Sequence, residues 1–167
     1  QEDVRPFVLM ANWLRDQGLS APELYAVDDR AGLILLEDLG DDLYSAKLAA
    51  GVDEGDLYDA AVDVLVAFQQ APPPSMPAYD DDFLLLEVSY FVDWYVEKHL
   101  GYKVSAKDRE TFLGLWRGLL PEMNAGPRVL LLRDYMADNL LWLPEREGLA
   151  RVGLLDFQGA LQGSMAF

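Results

Sequence analysis

Between positions 131 and 157 the chain reads L-L-R-D-Y-M-A-D-N-L-L-W-L-P-E-R-E-G-L-A-R-V-G-L-L-D-F. Asp134 and Asn139 stand five residues apart, and Asn139 opens an apolar run, 140–143. A turn-rich stretch, 144–150, leads into a second apolar run, 151–155, that ends on Asp156. If the two runs pair as a hairpin, Asn139 at the start of one and Asp156 at the end of the other return to the same edge of the sheet. Three oxygen-bearing side chains then meet at one place. Phosphoryl transfer from ATP asks for such a group, because the protein's task is positioning and charge neutralisation rather than covalent chemistry. A hard cation such as Mg2+ takes oxygen ligands and keeps several waters, so one carboxylate and one amide carbonyl are a sufficient protein contribution. On this reading Asp134 is the catalytic base that orients and deprotonates an acceptor hydroxyl, and Asn139 and Asp156 are the metal ligands.

Each residue taken singly also has an ordinary folding role, since Asp and Asn beside strands form turns and tolerate unusual dihedrals. The joint pattern carries the chemical reading. An Asp with an Asn five residues later, followed by an Asp-Phe after a strand, is the order used in the protein-kinase pattern, and the strands it requires are present in the sequence.

The elements that must hold these residues are mostly helices. Phe7, Met10, Ala11 and Leu14 give residues 3–17 the one-sided spacing of an amphipathic helix, with Gly18 as its stop. Short strands are expected at 24–27 and 33–37, around the turn D-D-R-A-G. A short helix is expected near 43–50. A longer one over 53–70 carries Leu57, Ala61, Val64, Leu65 and Phe68 on one stripe and ends at A-P-P-P. The proline-rich 72–77 reads as a stiff loop. A long helix over 81–100 begins with acids that suit the positive end of its dipole, and Ser105 caps another through 120, with Phe112, Leu115, Trp116 and Leu119 facing inward. Trp94, Trp116 and Trp142 are assigned to core or edge packing. The sum is an α+β chain with most of its bulk in helices.

Composition narrows the chemistry. The 167 residues are 51% hydrophobic, enough for a packed core. A formal net charge of −16 argues against nucleic acid or an anionic membrane as partner. A compact anion such as ATP is compatible with it, because a cation and oriented amides neutralise phosphates locally. With no Cys and a single His, disulfides, thiolate metal sites and zinc chemistry drop out. No stretch approaches the roughly 20 apolar residues of a membrane helix, and the opening Q-E-D-V-R-P has no signal-peptide pattern, so a cytoplasmic location is expected. The sequence carries no signal of an oligomeric state.

Taken together, I-L-L-E-D-L-G-D at 34–41, R-D-Y-M-A-D-N at 133–139 and L-L-D-F-Q at 154–158 resemble the aminoglycoside and choline phosphotransferase family, whose fold is protein-kinase-like. Within it the chain is most similar to bacterial cell-wall sugar kinases that phosphorylate the anomeric hydroxyl of N-acetylmuramate and N-acetylglucosamine. The resemblance implies a helical carboxy-terminal lobe over 41–167, with catalytic loop and hairpin, and over 1–40 a hinge with part of the amino-terminal lobe. It implies ATP and Mg2+ as cofactors and a small-molecule alcohol as substrate: a sugar, amino sugar or aminoglycoside. It also implies that Asp134 is the base, that Asn139 and Asp156 bind metal, and that backbone groups near Glu37 and Leu39 receive the adenine.

Departures from the family pattern are specific. Leu132 and Met136 stand where the family has His two places before, and often two places after, the catalytic Asp. These side chains line the site, so their loss bears on the substrate more than on the transfer. No Gly-rich loop is visible, and Lys47, Lys98, Lys103 and Lys107 all lie after the hinge, so the lysine that grips the α- and β-phosphates is not found; Glu2 is a candidate for its supporting acid. Two explanations follow: a kinase whose remaining strands and helices lie outside this chain, or a catalytically incomplete, kinase-like protein that binds a nucleotide or metabolite. The first is favoured, because the first helix and an unpaired strand edge are expected to leave apolar surface uncovered. A helical interaction domain with an acidic surface, the third alternative, leaves the spacing of the three site residues to coincidence. Glu87, Asp93 and Glu97 could face a cationic aminoglycoside, but a solvated helix face accounts for them equally.

Overall fold

The structure, a computed structural model, describes residues 3–165; Glu2 lies outside the described residues. In chain order the elements are α1 (Arg5–Asp16), β1 (Leu24–Asp28), β2 (Leu33–Leu36), α2 (Tyr44–Ala49), α3 (Glu54–Gln70), α4 (Asp81–Tyr90), a π-helical segment (Phe91–His99), α5 (Ala106–Met123), β3 (Arg128–Leu131), β4 (Leu140–Trp142), a 3-10 turn (Gly148–Arg151), β5 (Val152–Leu154) and β6 (Leu161–Ser164). The chain divides into two compact units, one running to Met76 and resuming over Leu132–Ala160, the other comprising Pro77–Leu131 and the segment from Leu161.

In the first unit α1 buries Met10, Ala11 and Leu14, and Gly18, at φ +76°, ends it in the left-handed conformation that glycine adopts without strain. Its apolar stripe is therefore covered, contrary to the expectation of an exposed first helix. β1 and β2 pair antiparallel, and this sheet does leave apolar surface open: Tyr25, Val27, Leu33 and Leu35 are exposed. α3 buries Leu57, Ala61, Val64 and Phe68, and Asp53 caps it by accepting from the Asp56 amide. β4 and β5 form the expected hairpin, with Leu140 opposite Leu154, Leu141 opposite Gly153 and Trp142 opposite Val152. Within its connection, read from the sequence as turns, residues 148–151 wind into a 3-10 turn.

In the second unit Tyr79, Leu84, Leu120, Leu131 and Leu161 form the core, with Trp116 packed against it. Two features differ from the sequence reading. The helix from Asp81 changes winding at Phe91, where Phe91, Tyr95 and His99 stack ring upon ring down the π-helical segment. On α5 the core contact is made by Leu120, while Leu115 and Leu119 are exposed. Trp116 packs inward as expected and Phe112 is half-buried, but the buried stripe runs on to Leu120 rather than through Leu115 and Leu119, because periodicity alone does not locate the neighbouring surface. The β3–β6 pair is also new: each strand has only four residues, and each pairs with a partner about thirty positions away, as in Leu131 opposite Leu161. Glu87 hydrogen-bonds the Tyr79 hydroxyl, and Asp93 and Glu97 pair with Arg109 at 2.5 and 3.6 Å, so all three acids have partners within the fold.

Candidate active site

Asp134 follows Arg133, which is held at φ +68°, and the Asp134 amide donates to the Leu132 carbonyl at 2.9 Å. Among the described residues only Arg133 and Asp156, at φ +54°, have positive φ without being glycine. Both conformations are uncommon for side-chain-bearing residues; one directly precedes Asp134 and the other is that of Asp156 itself. The loop they frame is tied at several points. Asn139 Nδ2 donates to the Asp134 carbonyl at 2.9 Å, and the Asn139 carbonyl accepts from the Leu155 amide at 3.0 Å. Asn139 thus touches the Asp134 segment on one side and the residue preceding Asp156 on the other. Arg133 reaches the same turn, because a Cβ built on Gly159 would lie 3.6 Å from its Nη1.

The loop is supported from beneath. The Ser45 amide at the start of α2 donates to the Ala137 carbonyl at 3.2 Å, and the Tyr135 hydroxyl donates to the Ala61 carbonyl of α3 at 2.8 Å. Burial holds the Tyr135 phenol well above its usual range and pushes that of Tyr44 up to about 12. Tyr44 is fully buried and packs edge-on against Trp142, and its hydroxyl has no hydrogen-bond partner. Beyond Asp156, Phe157 is buried and stacks on Phe7 of α1 at 4.9 Å, which fixes the end of β5 against the first helix.

The donor set suits a hard cation. With Nδ2 engaged, the side-chain oxygen of Asn139 remains for a ligand, and Asp156, whose Oδ1 accepts from Gln158 Nε2, is solvent-exposed. Asp134 is exposed as well. Among the described residues there is no cluster of three or more His, Cys, Asp or Glu able to hold a metal by itself. Two protein ligands with substrate phosphates and water completing the shell is how magnesium is ordinarily bound.

A cavity of about 250 Å³ lies beside these residues along the chain, lined by Pro22, Leu36, Glu37, Asp38, Leu39, Gly40, Leu141 and Leu155. One wall is the segment after β2; the other is built from β4 and the end of β5. Leu155 immediately precedes Asp156, and Leu141 follows Asn139 by two residues, so the apolar wall and the polar site belong to the same two strands. Gly40, at φ +83°, closes the turn after β2 and donates to Asp38 Oδ1 at 2.8 Å. The Glu37 amide is engaged with the Glu23 carbonyl at 2.8 Å. Among the described residues, neither the Glu37 carbonyl nor the Leu39 amide takes a protein hydrogen bond.

Over residues 1–167 the sequence matches the Phosphotransferase enzyme family. The chain belongs to that family. It is 44% identical to the N-acetylmuramate/N-acetylglucosamine kinase of Caulobacter vibrioides over 95% of this chain and 46% of that protein. It is 37% identical to the enzyme of the same name from Pseudomonas aeruginosa, over 100% of this chain and 48% of that protein. This chain thus spans about half the length of the curated relatives it matches. In fold it resembles the aminoglycoside phosphotransferase APH(2")-IIa, solved as a gentamicin complex, with a TM-score of 0.64 over 98% of this chain and 58% of that one at 14% identity. The mixed α+β architecture is therefore that of an aminoglycoside phosphotransferase. No described helix is long and apolar enough to cross a membrane.

Arg146 is the residue that sequence reasoning missed. Its guanidinium donates to Glu37 Oε1 at 2.6 Å and to Ser20 Oγ at 2.8 Å. Nothing local in P-E-R-E-G marks it, because its partners are far away in sequence.

Proposed function

We propose that the full-length protein is an ATP-dependent small-molecule kinase that transfers the γ-phosphoryl group to a hydroxyl of an amino sugar, with N-acetylmuramate and N-acetylglucosamine as the first acceptors to test. The observation that carries this reading is that the hairpin bounded by Asn139, just before β4, and Asp156, just after β5, also supplies Leu141 and Leu155 to the cavity beside residues 36–40. An adenine between these leucines and the segment 36–40 has an apolar wall on one side and, on the other, the free Glu37 carbonyl and Leu39 amide as acceptor and donor. Asn139 and Asp156 are assigned to Mg2+, which supplies charge neutralisation at the transferred phosphate when bound. Asp134, exposed and anchored by its own backbone, is assigned as the base that orients the acceptor hydroxyl and takes its proton.

Residues 1–40 are assigned to the amino-terminal lobe and 41–167 to the helical lobe, with Gly40 at the boundary. The exposed apolar faces of the β1–β2 pair support this assignment, since a lone two-stranded sheet is marginally stable and gains from further strands. The lysine that grips the α- and β-phosphates is then supplied from outside this chain, with Glu2 the candidate for its supporting acid. The second reading, binding without transfer, rests on the same missing lysine.

Incubating the full-length protein with ATP, Mg2+ and a panel of amino sugars separates the readings. ADP release that depends on the acceptor supports the kinase. Stabilisation by nucleotide with no ADP formed supports the binding protein. Asp134→Asn in the folded protein is expected to lower turnover about 10²- to 10⁴-fold while leaving nucleotide affinity within a few-fold. An unchanged rate removes Asp134 as the base.

A further inference from the structure

We infer that Arg146 is a positioning residue that sets the spacing of the nucleotide cavity by tying its two walls together through Glu37. The inference rests on the nucleotide reading of that cavity. One wall, residues 36–40, starts at the last residue of β2; the other, Leu141 and Leu155, belongs to the β4–β5 hairpin and its edge. Arg146 sits in the connection of that hairpin, fixed there by its own amide on the Leu143 carbonyl at 3.0 Å. From this point its guanidinium forks. Nη2 reaches Glu37 Oε1 at 2.6 Å, and Nη1 reaches the hydroxyl of Ser20 at 2.8 Å.

The far end of the tie is equally constrained. Glu37 Oε2 accepts from the Glu23 amide at 3.1 Å and lies 3.6 Å from Arg15 Nη1, so both carboxylate oxygens are engaged by the chain itself. Ser20 is 3% exposed; its hydroxyl donates to the Ala150 carbonyl at 2.7 Å, and its carbonyl accepts from the Leu154 amide at 2.8 Å. The Arg146–Glu37 pair is half-buried, with side chains 29% and 21% exposed, which sets it apart from an open surface pair such as Arg5–Asp3.

This arrangement orders the groups assigned to adenine without touching the nucleotide. The Glu37 carbonyl and the Leu39 amide belong to a short irregular segment whose own backbone bonds are few: the Glu37 amide on Glu23, and the Gly40 amide on the Asp38 side chain. Releasing the Glu37 side chain leaves that segment able to drift from Leu141 and Leu155. A cavity that spends only a fraction of its time at the right width binds more weakly by that fraction. The planar fork of arginine serves both partners at once, which a lysine ammonium on a flexible stem does less well.

The test is ADP and ATP affinity of the full-length protein, measured by calorimetry without acceptor, for wild type, Arg146→Met, Arg146→Lys, Glu37→Gln and the double variant Glu37→Gln/Arg146→Met. Arg146→Met is expected to weaken ADP binding about three- to tenfold, the double variant to be no weaker than the worse single one, and Arg146→Lys to recover part of the loss. Turnover at saturating ATP should stay within about twofold, so that the change appears in KM. If Arg146→Met does not fold, Arg146→Lys carries the test with the same expected direction. Unchanged ADP affinity alongside a lower melting temperature overturns the inference, because the tie is then structural only. So do additive losses in the double variant, which show that the two residues act separately. Failure of wild type to bind either nucleotide is seen before any variant is compared, and it removes the nucleotide reading along with the tie.

Discussion

Adding one methyl group at Gly153 should destabilise the protein and weaken the proposed nucleotide site together. Gly153 lies opposite Leu141 in the β4–β5 register, and a Cβ at that position would stand 2.9 Å from Leu141 Cβ and 3.2 Å from Leu143 Cδ1. The first contact cannot be relieved by a rotamer change, since a Cβ is fixed to its backbone, so the strands must part or Leu141 must move. Overpacking of this kind costs about 1–3 kcal/mol, and the entropy an alanine removes from the unfolded chain returns about 0.4–1 kcal/mol, leaving a net loss of about 1–2 kcal/mol. Because Leu141 also lines the cavity, ADP affinity should fall with stability. Gly118→Ala is the matched control. Gly118 lies within α5, nothing stands within 4 Å of its Cβ position, and there the same methyl should stabilise by about 0.5–1 kcal/mol through helix propensity. Denaturant unfolding of the full-length variants, followed by calorimetric ADP binding, reads both effects. Gly153→Ala unfolding at or above the wild-type midpoint would refute the close approach on which the argument depends.

Tyr44→Phe should leave stability unchanged or raise it by about 1 kcal/mol in denaturant melts, because it removes a buried hydroxyl that has no partner; a clear loss would mean the hydroxyl is satisfied. The same residue sets an alkaline limit. Its phenol is raised from 10.0 to about 12 on folding, so the folded state keeps the proton where the unfolded chain gives it up. Stability is therefore full below about pH 10 and is lost as pH rises toward 12, and melts in that window should show Tyr44→Phe losing less than wild type. At the proposed metal site, Asp156→Asn should lower turnover and raise the Mg2+ concentration needed for half-maximal rate, with little change in ADP affinity measured without metal. A Mg2+ requirement identical to wild type would remove Asp156 from the assignment.

Much of the site is legible along the chain because its parts are close in sequence. Asp134 and Asn139 share one loop, and the alternation of apolar runs and turn residues from Leu140 to Asp156 specifies a hairpin whatever the rest of the molecule does. Helical periodicity likewise located α1 and α3 and their buried faces, Met10, Ala11 and Leu14 in one and Leu57, Ala61, Val64 and Phe68 in the other. Where an outcome depends on distant surfaces, local pattern has nothing to read. Leu115 and Leu119 carry the right period yet face solvent, because the core of their unit lies toward Leu120. The pairing of Leu131 with Leu161 joins two strands too short to announce themselves. Arg146 meets Glu37 across 109 residues, and the left-handed backbone at Arg133 has no counterpart in arginine's own preferences, whereas Asp at 156 is a residue type that tolerates it. Chemical identity and local period are properties of a short stretch of chain; width, partnership and strain arise only when separate stretches are brought into contact.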